Sequence, residues 1–188
     1  MRHPPKLSSE KFRRNSRSRG MRILTKEEAC KLLNDESLDA FVAQLSGQLR
    51  LVKGTFSAPV SSGKQIVVSK LFAYVMLKDS PVCLYLTGWG IATEHLDLFY
   101  GYRRSLGETR PLIEAPVHVF EKGDTDAFVS LLCVSLFFSW DAAVFDLAGK
   151  CLLQTSHDGW LEYRANDEAF VREVVAELER YQIPLLGH

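Results

Sequence analysis

From Met21 onward, apolar runs alternate with short polar interruptions, and the spacing of the apolar positions predicts an order of elements. Thr25-Lys26-Glu27-Glu28 has the form of a capping box: the threonine side chain and the glutamate three residues on each satisfy the other's backbone N–H. A short helix is expected from there to about Leu33. Asn34-Asp35-Glu36-Ser37 interrupts it, and Leu38, Phe41, Val42 and Leu45 mark one face of a second helix ending near Gly47. Strand-like segments follow at about 49–56, 65–77 and 82–87. Pro59 to Gly63 and Lys78-Asp79-Ser80-Pro81 supply the turns between them. Sequential strands with short connections predict an antiparallel meander.

Gly88-Trp89-Gly90 breaks the pattern. Thr93 is placed to cap a helix through about Leu106, with Glu94 near its positive end. Leu96, Phe99, Tyr100, Tyr102 and Leu106 share a broad arc of that helix, and Arg103 falls inside the arc. Leu112 to Phe120 reads as a strand, and Pro116 within it suits a sheet edge. Residues 125–138 are apolar nearly all round and predict a buried central helix. A hairpin of 140–147 and 151–156 comes next. A final amphipathic helix starts at Asn166-Asp167-Glu168, turns Phe170, Val171, Val174, Leu178 and Tyr181 inward, and is stopped by Pro184. The order ααβββαβαββα predicts a single α+β domain over 21–188, a largely antiparallel sheet packed with about five helices.

Charge changes this picture at the N-terminus. Residues 1–20 carry seven basic groups against one acid, whereas 21–188 carry 16 basic against 22 acidic, so an overall charge of zero hides a basic segment and an acidic body. With two adjacent prolines and little to bury, residues 1–20 are expected to be a disordered basic tail, or an over-extended start if Met21 is the initiator. Four cysteines (Cys30, Cys83, Cys133, Cys151) lie far apart among apolar neighbours with no C-x-x-C, which predicts free thiols in a reducing, cytoplasmic setting. No uncharged stretch exceeds the 14 residues of Ala127 to Trp140, too short to cross a bilayer, so no membrane role is expected.

Chemically capable residues concentrate in Trp140-Asp141 and Ser156-His157-Asp158-Gly159-Trp160, which bracket the predicted hairpin and would meet at one end of a sheet. A histidine beside carboxylates is a candidate general base, so His157, Asp158 and Asp141 are the candidate catalytic residues. Asp158-Gly159 is equally ordinary turn chemistry. Asp141 opens its strand on the more apolar face and needs a partner there, and Arg103 is the expected one. Gly88-Trp89-Gly90 lacks the third glycine of a dinucleotide fingerprint and no P-loop lysine follows it. His95 and His118 have no second ligand at i+3 or i+4, so neither a metal nor a cofactor is expected.

No complete catalytic signature emerges, so the sequence favours a small cytoplasmic protein-binding module, comparable to immunity or adaptor proteins in size and composition only. Trp89, Arg103 and Trp160 are its candidate binding residues, and another protein is its expected partner. The alternatives are a hydrolase or transferase built around Asp141, His157 and Asp158, with Glu94 or Arg103 assisting, and a nucleic-acid-associated protein using the basic arm 1–20.

Overall fold

The computed structural model describes residues 21–49, 52–90 and 93–184. The expected tail, 1–20, lies outside the described residues. In chain order the elements are β1 (Arg22–Leu24), α1 (Lys26–Leu33), α2 (Leu38–Gln48), β2 (Val52–Ser57), α3 (Ser62–Met76), β3 (Val82–Gly88), α4 (Thr93–Ser105), β4 (Val117–Phe120), α5 (Thr125–Phe137), β5 (Asp141–Asp146), β6 (Cys151–Ser156), β7 (Trp160–Ala165) and α6 (Glu168–Arg180). The predicted capping box forms: Thr25 Oγ1 accepts the Glu28 N–H at 3.1 Å, and Glu28 Oε2 accepts the Thr25 N–H at 2.8 Å. Ser37 caps α2 through the Ala40 N–H, and Asp167 caps α6 through the Ala169 N–H.

The strands form one antiparallel sheet in the order β1-β4-β3-β5-β6-β7-β2, so the fold is α+β as predicted. The route through it differs from the expected meander. Residues 65–77, read as a strand, belong to helix α3 and its C-cap Leu77: the β-branched run Ile66-Val67-Val68 suggested a strand, but Gln65, Val68, Ser69, Phe72, Ala73 and Met76 recur at helical spacing and, with Val75, are the buried positions. β2 therefore reaches the far edge of the sheet and pairs with β7, not with β3. β4 is not an edge strand, because the unanticipated β1 covers it. Pro116 is tolerated because it precedes the first strand residue, and its carbonyl accepts the Leu86 N–H at 3.2 Å.

Period-two alternation assigns each strand residue to a face. On one face the larger core packs α3, α4, α5 and α6 against Val82, Leu84, Leu86, Ala142, Val144, Leu153, Leu161 and Tyr163. On the other, α1 and α2 bury Ala29, Leu38, Val42 and Leu45 against Cys83, Tyr85, Val117, Val119, Ala143, Phe145 and Leu152. The smaller layer ends there. At the β6-β7-β2 side of this second face, Gln154, Ser156, Trp160, Thr55 and Ser57 stay partly exposed.

Candidate functional site

The site begins where α5 ends. Ser139 adopts a left-handed conformation (φ 53°). The Trp140 N–H bonds the Ser135 carbonyl and the Ser139 N–H bonds the Leu136 carbonyl, a Schellman ending that aims the chain into β5. Trp140 is buried edge-on against Phe99, with centroids 5.1 Å apart, and its carbonyl accepts the Thr155 hydroxyl at 2.8 Å. Asp141 then emerges at the rim of the sheet.

β6 and β7 pair as far as Ser156↔Trp160, leaving the three-residue turn His157-Asp158-Gly159. Gly159 takes φ 81° and donates its N–H to the Ser156 carbonyl at 3.0 Å, a left-handed geometry in which glycine carries no steric penalty. The Asp158 N–H is taken by Ser156 Oγ at 3.2 Å. Asp141 Oδ1 accepts the His157 backbone N–H at 2.8 Å, and His157 Nδ1 lies 3.0 Å from each Asp141 carboxylate oxygen. On the other side of the ring, Nε2 is 3.5 Å from Asp158 Oδ1. The hydrogen bond that the ring donates to Asp141, then the charges of Asp141 and Asp158, raise the His157 pKa above its ordinary value. Gly88, paired with Asp141 across a bulge, leaves room for the carboxylate: a Cβ there would stand 2.6 Å from Asp141 Oδ2. The hairpin thus unites Asp141, His157 and Asp158 at one end of the sheet, as the sequence predicts.

This arrangement acts as a clamp. The His157 ring, set between two carboxylates, ties the turn to β5, while its side chain remains 67% exposed. The neighbouring hydroxyl, Ser156 Oγ, is occupied by the Asp158 N–H. The clefts between α1 and α2, between α3 and α6, and between α3 and α5 are lined by other residues.

Arg103 is a correction. It is fully buried, so it is closed to any partner, and it does not pair with Asp141. Its Nη2 donates to the Ala115 carbonyl at 3.0 Å and its guanidinium lies over Phe99, while Nε and Nη1 have no hydrogen-bond partner. The helical arc placed Arg103 inward correctly, but inward from α4 faces β4 and not the start of β5. His118 on β4 is also fully buried, and neither ring nitrogen is hydrogen-bonded. Burial first, then the Arg103 charge, push its pKa down to about 3, with the nearby Leu84 and Pro116 backbone pulling the other way. Sequence reasoning set His118 aside as a metal ligand and missed its place beside Arg103. No spacing rule links a helix to a strand it packs on.

The two tryptophans do not share a surface. Trp89 packs against the larger core. Trp160 has the opposite facing from Leu161 and sits in a cross-strand row between Ser57 and Ser156, on the face that α1 and α2 cover only in part. The side chains of Thr93 and Glu94 lie outside the described ones. All four cysteines are free thiols, and burial raises the pKa of Cys83 and Cys151 strongly. Among the described residues no three His, Cys, Asp or Glu side chains are grouped to hold a metal, and no helix is long and apolar enough to cross a membrane. The chain matches no family model, and comparison with curated proteins and with solved structures gives no match.

Proposed function

We propose that this chain is a protein-binding module whose partner docks on the part of the sheet that α1 and α2 leave uncovered, around Trp160 and the His157 turn. One observation carries the reading: the row Ser57-Trp160-Ser156, with Thr55, Glu162 and Gln154 in the next row, forms a sheet surface that is partly exposed around a central tryptophan. A rigid indole flanked by polar, hydrogen-bonding side chains is the composition of an interface hot spot. Asp141 and Asp158 give this end a negative field, so the partner surface is expected to present arginine, whose guanidinium also stacks on indole. The four free thiols support a reducing, cytoplasmic setting for the encounter.

The hydrolase or transferase reading needs His157 Nε2 free to accept a proton, and the Asp158 carboxylate beside it favours keeping a proton there instead. The nucleic-acid reading rests on residues 1–20, outside the described residues.

Photo-crosslinking in the native host tests the proposal. Benzoylphenylalanine at Gln154 should give one discrete protein adduct that Trp160→Ala abolishes, and the same group at Ala176 on α6 should give none. Equal adducts from both positions, or none from Gln154, overturn the reading.

A further inference from the structure

The body of the chain is acidic, yet the groove between α3 and α5 is basic. This cleft of about 400 Å³ is lined by Lys70 of α3, Lys78 of the turn after α3 and Lys122 of the turn before α5. Three separate elements bring three ammonium groups to one groove. Six cations elsewhere have carboxylate partners: Arg22 with Glu121, Lys26 with Asp39, Arg110 with Glu108, Arg164 with Glu162, Arg172 with Glu168 and Arg180 with Glu177. Lys70, Lys78 and Lys122 are exposed and, among the described residues, their side chains make no ion pair or hydrogen bond. Asp126 is the one acid lining the cleft, so the groove keeps an excess of positive charge. Such an excess focuses an attractive field on anions.

Two further features define the anion. Asp124 sits at the N-cap of α5 but makes no cap bond, because its carboxylate accepts the Glu121 N–H at 2.8 Å. The first-turn amides of α5 add positive potential at this end of the groove, offset in part by the Asp126 carboxylate in the same turn. Tyr74 stands at the rim of the groove, 64% exposed, one helical turn from Lys70 and four residues before Lys78, with Leu77 and Val129 as the apolar wall. An exposed ring between lysines is suited to stacking a planar base while the ammonium groups meet phosphate.

We propose that the α3–α5 groove binds a nucleotide, with its phosphates on Lys70, Lys78 and Lys122 and its base on Tyr74. The groove lies on the opposite face of the sheet from Trp160 and is independent of the partner site.

Calorimetric titration of the full chain with ATP, tripolyphosphate, adenosine and hexaglutamate tests this. ATP and tripolyphosphate should bind saturably, more weakly as salt rises, and adenosine weakly. Lys70→Ala/Lys122→Ala, two exposed positions whose loss should leave the thermal midpoint unchanged, should weaken both phosphates about tenfold or more. Tyr74→Ala should reduce ATP to the affinity of tripolyphosphate and leave tripolyphosphate unchanged. Absence of saturable phosphate binding, affinity untouched by the double variant, or no effect of Tyr74→Ala on ATP overturns the proposal. Hexaglutamate binding as tightly as ATP also overturns it, by showing a groove for acidic peptides. None of these results bears on the Gln154 crosslink.

Discussion

Asp141 holds the His157 turn twice, through the backbone amide and through the ring, and the bare α-carbon of Gly88 makes space for it. Gly88→Ala should therefore push the carboxylate aside and cost about 1–3 kcal/mol, as overpacking does. His157 offers the readout. Its raised pKa means that its contribution to the fold is fully present below the unfolded value of about 6.5 and fades as pH rises through the folded value. In an NMR titration the His157 ring should titrate above 6.5 in the parent and return towards that value in Gly88→Ala. An unchanged midpoint in the variant would show that Gly88 does not govern the clamp. His118 behaves oppositely. Folded, it resists protonation down to about 3, whereas the unfolded chain takes up that proton near 6.5, so stability is full above about 6.5 and falls with acidification by up to about 1.4 kcal/mol per pH unit. Urea unfolding between pH 6.5 and 4.5 should show this slope reduced in His118→Leu. An equally steep fall in both proteins would contradict the assignment.

At the scale of elements, α5 forms where a helix over 125–138 was expected, but it is buried on one side only, through Phe128, Leu131, Leu132, Ser135 and Leu136. Its other side, including Ser130 and Phe137, reaches solvent. Leu132→Asp places a carboxylate where nothing compensates it and should cost several kcal/mol, comparable to a small domain's whole stability of about 5–15 kcal/mol. Ser130→Asp on the same helix should stay within about 0.5 kcal/mol. Equal chemical-denaturation midpoints for the two variants would show the burial to be wrong. Caps and amphipathic faces were legible because they are written in consecutive residues. The α3 segment was not, since its β-branched start outweighed a helical spacing that emerges only over the whole of 65–76; a 13-residue strand would itself have exceeded the usual 5–6. β7 carries a regular alternation, Leu161, Tyr163 and Ala165 against Trp160, Glu162 and Arg164, which a polar flanking sequence concealed. The hairpin's union of Asp141 with His157 was legible because turn length fixes register. The Arg103–Asp141 pair was not a sound expectation, because a helical arc gives a facing and not the strand it faces.

For the molecule as a whole, the unequal cover of the sheet has the larger consequence. Among the described residues four helices close one face and two close only part of the other, so the Trp160 row stays partly open at the sheet itself. That asymmetry underlies the claim that this chain works by holding a partner at the His157 end. Hydrogen exchange of the chain, measured free and in complex with the protein captured from Gln154, tests it most directly. The account predicts new protection at residues 154–162 and 55–57, with α3, α5 and α6 unchanged. Protection confined to the helices of the larger layer, with the His157 turn exchanging as in the free chain, would contradict it.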